Sequence, residues 1–118
     1  MRNTIGIAVL LATSSPALAH ALLQTASPPV GSEVSSAPSI ITLDFSEAVE
    51  PRLSTVTVSA ADGSRVDKRD LHTAPDDPKR LVLGLTRLAN GTCTVVWHAV
   101  SVDKHSTEGS YRFTVGRE

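Results

Sequence analysis

The sequence predicts an all-β fold, an antiparallel Greek-key β-sandwich or barrel of about seven strands and immunoglobulin-like size. Three observations predict it. Apolar and polar residues alternate with the period of half-buried strands in several short stretches. Clusters of Pro, Gly, Asn and Asp divide those stretches at the spacing of a sandwich or barrel. No window combines a helical apolar stripe with capping residues.

The first segment stands apart from this pattern. Arg2 precedes the apolar run Ile5 to Ala12, and Thr13-Ser14-Ser15-Pro16 leads into Ala17-Leu18-Ala19. A charged start, a short apolar centre and small residues at the −3 and −1 positions make a secretory signal, with cleavage expected after Ala19. The run is well short of the ~20 apolar residues of a spanning helix. Taking residues 1–19 from 118 leaves a 99-residue domain, 20–118, expected to be exported and not membrane-embedded. One arginine and no acid leave with the signal, so the formal charge moves from −1 to −2.

Ala21 to Ala26 is expected as the first strand, ended by Ser27-Pro28-Pro29 and Gly31. Ile41, Leu43 and Phe45 alternate with Thr42 and Asp44, which puts Asp44 on the solvated face. Val56 and Val58 alternate with Thr55, Thr57 and Ser59, and Ala61-Asp62-Gly63-Ser64 reads as a hairpin turn. Residues 65–78 are polar, with Asp76-Asp77-Pro78 as a breaker, and hold at most one short edge strand. Leu81, Leu83 and Leu85 restart the alternation before the turn signal Ala89-Asn90-Gly91. Thr92 to Ser101 is a long β-branched run, and Tyr111, Phe113 and Val115 alternate in the last strand.

Composition narrows the function. A net charge of −1 excludes a strongly basic nucleic-acid binder, and one cysteine excludes an internal disulfide framework and a cysteine-only zinc site. The 41% hydrophobic fraction is enough for a packed core. Chemistry then rests on four histidines, Cys93 and the carboxylates. Cleavage after Ala19 makes His20 the first residue. Its α-amine and imidazole Nδ1 can close a six-membered ring on one metal ion, a donor set suited to Cu(II). On its own, His20 is better explained as the residue that happens to follow a cleavage site. Asp103 and His105 flank Lys104, and residues two apart in an extended segment face the same side. A polar loop explains that pair as well. Glu47 follows the strand that ends in Leu43-Asp44-Phe45-Ser46.

Together these residues resemble the CopC family of periplasmic copper-binding proteins over essentially the whole mature chain. The resemblance is carried by His20-Ala21, Ser27-Pro28 with Gly31, Leu43-Asp44-Phe45-Ser46-Glu47, and Gly91-Thr92. It continues through Val95-Val96-Trp97, Ser101-Val102-Asp103-Lys104-His105, and Gly109 leading into Phe113 and Val115. It implies a protein that binds one Cu(II) without turnover, through His20 and His105 with Asp103 beside them and Glu47 in a supporting or axial role. It also implies a periplasmic monomer serving copper homeostasis or resistance, with an inner-membrane copper transporter as partner. Three departures matter. The only methionine is Met1, lost with the signal, so a thioether Cu(I) site is missing. Lys104 stands where a small residue is common, and Cys93 where members often carry tyrosine.

The other candidates have simpler readings. Cys93 shares strand parity with Val95 and Trp97 and is expected as a buried small hydrophobe. His98 has the outer parity, His72 falls in a polar loop, and Trp97 belongs to the core. Asn90-Gly91-Thr92 is a glycosylation sequon that a turn already explains. A blue-copper carrier lacks its axial methionine, and a hydrolase lacks a Gly-x-Ser-x-Gly elbow. A copper redox enzyme built on a terminal-histidine chelate has little aromatic surface to work with. An immunoglobulin-like module without metal makes His20, Asp103 and His105 coincidental.

Overall fold

Residues 21–116 are described by a computed structural model. Eight strands follow in chain order: β1 (Leu23–Ser27), β2 (Glu33–Val34), β3 (Ile40–Phe45), β4 (Thr55–Ser59), β5 (His72–Ala74), β6 (Asp77–Gly84), β7 (Gly91–Val100) and β8 (Ser106–Val115). They form two four-stranded sheets, β1-β3-β6-β5 and β2-β8-β7-β4. This is the strand order of an immunoglobulin constant-type sandwich, with β2 added beside the last strand. The all-β, immunoglobulin-like expectation holds, as a two-sheet sandwich with open edges instead of a closed barrel. No helix of the described residues is long and apolar enough to cross a membrane.

Alternation builds the core. Ile41, Leu43 and Phe45 from β3 and Leu81 and Leu83 from β6 face Val56, Val58, Cys93, Val95, Trp97 and Phe113 of the other sheet. Trp97 meets Phe45 edge to face, with ring centroids 5.3 Å apart, an arrangement aromatic pairs favour. Gly109 sits directly opposite Trp97, and a Cβ there would lie 2.8 Å from Trp97 Cζ2. The indole fits because that side chain is missing. Cys93 is buried, and burial pushes its thiol up. That is the behaviour of a core residue.

Several expectations need correction. The strands are not all antiparallel, because β2 pairs with β8 in parallel. The first strand starts at Leu23 and runs to Ser27. Asn90-Gly91 closes no hairpin; it carries the chain from β6 in one sheet to β7 in the other. Asp77 and Pro78 begin β6 instead of breaking the chain, and the Pro78 carbonyl accepts a hydrogen bond from Val49 N–H at 3.0 Å. The turn at Ala61–Ser64 forms, but the chain returns only as a bridge from Arg65 to Ser59. His72 opens the edge strand β5, its Nδ1 2.7 Å from the Asp70 carbonyl. Asp44 is not merely solvated. Arg80 grips its carboxylate through Nε at 2.6 Å and Nη2 at 3.1 Å, and Thr25 donates at 3.0 Å.

Candidate metal centre

β7 and β8 form one continuous hairpin, paired from Gly91↔Val115 to Val100↔Ser106. The loop 101–105 at its tip carries Asp103 and His105. Ser101 shares the inward parity of Trp97 and Ala99 and is buried, so its polar atoms need partners inside the fold. Its N–H donates to the His105 carbonyl at 2.8 Å, and its carbonyl accepts from Lys104 N–H at 2.9 Å. Its hydroxyl donates in a short contact to Asp103 Oδ1.

Asp103 then collects the rest of the loop. The same Oδ1 accepts His105 N–H at 3.3 Å and lies 3.3 Å from His105 Nδ1. The Ser101 hydroxyl beside it, helped by the His105 backbone and ring, holds the Asp103 carboxyl below its ordinary value. Both side chains stay about half exposed, at 40% for Asp103 and 53% for His105. The pair therefore forms, although not as an extended segment. The loop turns back on itself, and Lys104 takes the left-handed conformation, φ 77°. Such a φ is unusual for a side chain of this kind.

Two other segments meet the loop. Val49 bridges Ser101, Val102 N–H donates to the Ala48 carbonyl at 3.1 Å, and Glu50 N–H donates to the Val100 carbonyl at 2.8 Å. The buried Ser54 hydroxyl accepts Val100 N–H at 2.9 Å and donates to the Glu50 carbonyl at 2.7 Å. This lays the segment holding Glu47 along the loop. Glu47 itself is exposed, and among the described residues no three His, Cys, Asp or Glu side chains gather as a metal-holding group. The second segment is the beginning of the described chain. Leu22 N–H donates to Ser46 Oγ and Ser46 N–H to the Leu22 carbonyl, both at 2.9 Å. The buried Ala21 accepts from the Thr107 hydroxyl at 2.5 Å. His20 and residues 1–19 lie outside the described residues.

Ser46, Ser101 and Thr107 are the positioning residues that a reading for metal ligands passes over. Only Ser101 had a signal, an inward strand parity that buries a hydroxyl two residues before Asp103. His98 is half-buried on the outer face of its sheet, between Thr55 and Glu108 in the ladder, and does not join the loop.

Residues 23–116 match the CopC domain model. Protein YobA of Escherichia coli K12 is 34% identical over 98% of this chain and 94% of its own length. The crystal structure of CopC from Methylosinus trichosporium OB3b superposes with a TM-score of 0.75 at 33% identity, covering 81% of this chain and 93% of that one. PcoC, a methionine-rich copper resistance protein from Escherichia coli, superposes with a TM-score of 0.73 at 34% identity, covering 82% and 99%. The match spans both sheets and the loop that joins Asp103 to His105: the chain belongs to the CopC family, copper-binding resistance proteins and not enzymes.

Proposed function

We propose that this chain is exported, cut after Ala19, and binds one Cu(II) at the loop end of the sandwich, to store, buffer or deliver it in the periplasm. The observation that carries this reading is the anchoring of Ala21 to Thr107 and of Leu22 to Ser46. Thr107 lies two residues from His105, and adjacent Cα atoms are about 3.8 Å apart. A histidine joined to Ala21 therefore starts from the same end of the fold as Asp103 and His105. Nitrogen donors from His20 and His105 with a neighbouring carboxylate suit the tetragonal preference of Cu(II).

Within this reading Asp103 orients His105. With Nδ1 turned to the carboxylate, Nε2 is the ring nitrogen that would ligate the metal, the carboxylate–histidine arrangement common beside bound ions. Glu47 supports the site from the neighbouring segment. Met1 is the only methionine, which sets this chain apart from the methionine-rich PcoC and favours Cu(II) over Cu(I). A monomer that passes copper to an inner-membrane transporter completes the proposal.

The test combines terminal sequencing of the exported protein with Cu(II) titration. Protein beginning at His20 should bind one equivalent, and a form with one extra residue before His20 should lose much of that affinity. Equal affinity of the two forms removes the α-amine from the site.

A further inference from the structure

A second polar centre lies at the open side of the sandwich, where β4 and β5 are the outer strands of their sheets. The bridging segment 65–71 is organised by Asp67, whose side chain is fully buried. Asp67 Oδ2 accepts Arg65 Nε at 2.8 Å and Val58 N–H at 3.0 Å, while Oδ1 accepts Arg69 N–H at 3.0 Å. One carboxylate thus fixes two arginines. Arg65 spends only Nε on it and keeps its terminal amines. Among the described residues no ion pair engages the Arg69 guanidinium.

Both arginines line a cleft of about 170 Å³ whose apolar lining includes Val56, Leu71 and Leu83. The edge of β4 adds a donor. Val58 turns its N–H and C=O away from β7, toward Asp67 and Val66 N–H. Backbone groups two residues apart in an antiparallel strand point the same way. Val56 therefore also directs its N–H to the open edge, beside the arginines. Two guanidiniums against one buried carboxylate leave one positive charge facing an apolar-walled cleft.

We propose that this cleft binds a small carboxylate with a short aliphatic body. The carboxylate meets the planar donors of Arg65 and Arg69, a geometry guanidinium groups match with two parallel hydrogen bonds. The aliphatic part covers Leu71, which is only partly buried. This site is separate from the loop 101–105, and the proposal does not depend on copper.

Butyrate is a suitable probe, titrated into the ¹⁵N-labelled mature protein at fixed ionic strength and followed by NMR. Saturable shifts of Val56 N–H and Arg65 Nε–H are expected, with phosphate producing weaker ones and butylammonium none. Arg69→Asn is the informative variant, because Arg69 has φ 60° and asparagine tolerates that conformation while keeping the N–H that Asp67 accepts. It should keep the dispersed spectrum and weaken butyrate at least tenfold. Non-saturating shifts, equal binding by Arg69→Asn, or equal shifts with phosphate would each overturn the proposal.

Discussion

Asp67-Lys68-Arg69 and Asp103-Lys104-His105 are nearly the same tripeptide closed by the same aspartate-to-backbone contact, and they do opposite work. In each, the aspartate Oδ1 accepts the N–H of the residue two ahead, at 3.0 Å in the first and 3.3 Å in the second. In each, a residue with a long side chain is forced to positive φ, Arg69 at 60° and Lys104 at 77°. The difference is burial. The Asp67 side chain is fully enclosed, and its partners Val58, Arg65 and Arg69 are groups of the fold that need it. The Asp103 side chain is 40% exposed and shares its contacts with a histidine at the surface. A local turn motif carries no function by itself. The layer in which the turn sits decides whether its carboxylate holds the fold or faces a ligand.

Removing each carboxylate should separate the two roles by the largest margin. Asp67→Ala strands Val58 N–H and Arg69 N–H and leaves Arg65 without its partner, at a cost of about 3 kcal/mol. Asp103→Ala should stay within about 1 kcal/mol of the parent, as substitutions at exposed sites do. Urea midpoints at constant m-value measure both, and equal losses would break the comparison. The pH dependence follows from the same contacts. Burial works to raise the Asp67 carboxyl, but Arg65 and the Val58 and Arg69 amides outweigh it and hold it below its ordinary value. A depressed carboxyl stabilises the fold at all pH values above its unfolded pKa of about 3.9, and that contribution is lost as pH falls through the lower folded value. Asp67→Asn should accordingly show a shallower loss of stability below about pH 4 than the parent.

Copper affinity should divide the pair in the reverse sense. On the proposed site, Asp103→Ala frees the His105 ring and costs about 10- to 100-fold in Cu(II) affinity, the usual effect of losing a carboxylate that orients a ligand histidine. Asp67→Ala, titrated where it remains folded, should keep the parent affinity. Competition titration with a chromogenic chelator reads both, and a Cu(II) loss confined to Asp67→Ala would reverse the assignment.

The contrast also marks what could be read in the sequence. Alternation placed β3, β4, β6, β7 and β8 and the inward parity of Cys93 and Trp97, because each strand buries one face and side chains repeat every two residues. It failed for β2, a two-residue strand with no room for a period. It failed again for residues 65–78, where a polar run hides Asp67 at 6% exposure. Nothing local says that an aspartate among charged residues is enclosed; the partner that ties it to the sheet, Val58 N–H, comes from β4. Asp103 and His105 were legible as a pair because the pair is two residues long. The anchors that relate it to the start of the chain were not, since Ser46 and Thr107 reach Leu22 and Ala21 across 24 and 86 residues.

The smallest effect concerns the strained backbone both turns share. A non-glycine residue at positive φ costs about 1 kcal/mol relative to glycine, less the extra freedom glycine has in the unfolded chain. Lys104→Gly and Arg69→Gly should therefore each stabilise the fold by about 0.5 kcal/mol, a shift that thermal unfolding resolves. Function distinguishes the two. Lys104 puts a positive charge in the loop where a cation is proposed to bind, and an exposed charge of that kind is worth under about 1 kcal/mol. Lys104→Gly should therefore raise Cu(II) affinity about two- to threefold, an effect that shrinks as salt screens the charge. Arg69→Gly removes the same charge from the far turn and should leave Cu(II) affinity alone. If both variants raise it equally, net charge and not the loop sets the affinity, and the distinction between the two turns is lost at the metal. If Lys104→Gly alone raises it and the gain persists in high salt, the relaxed backbone is what matters, because a cation next to copper loses its effect in salt and a better-formed turn does not.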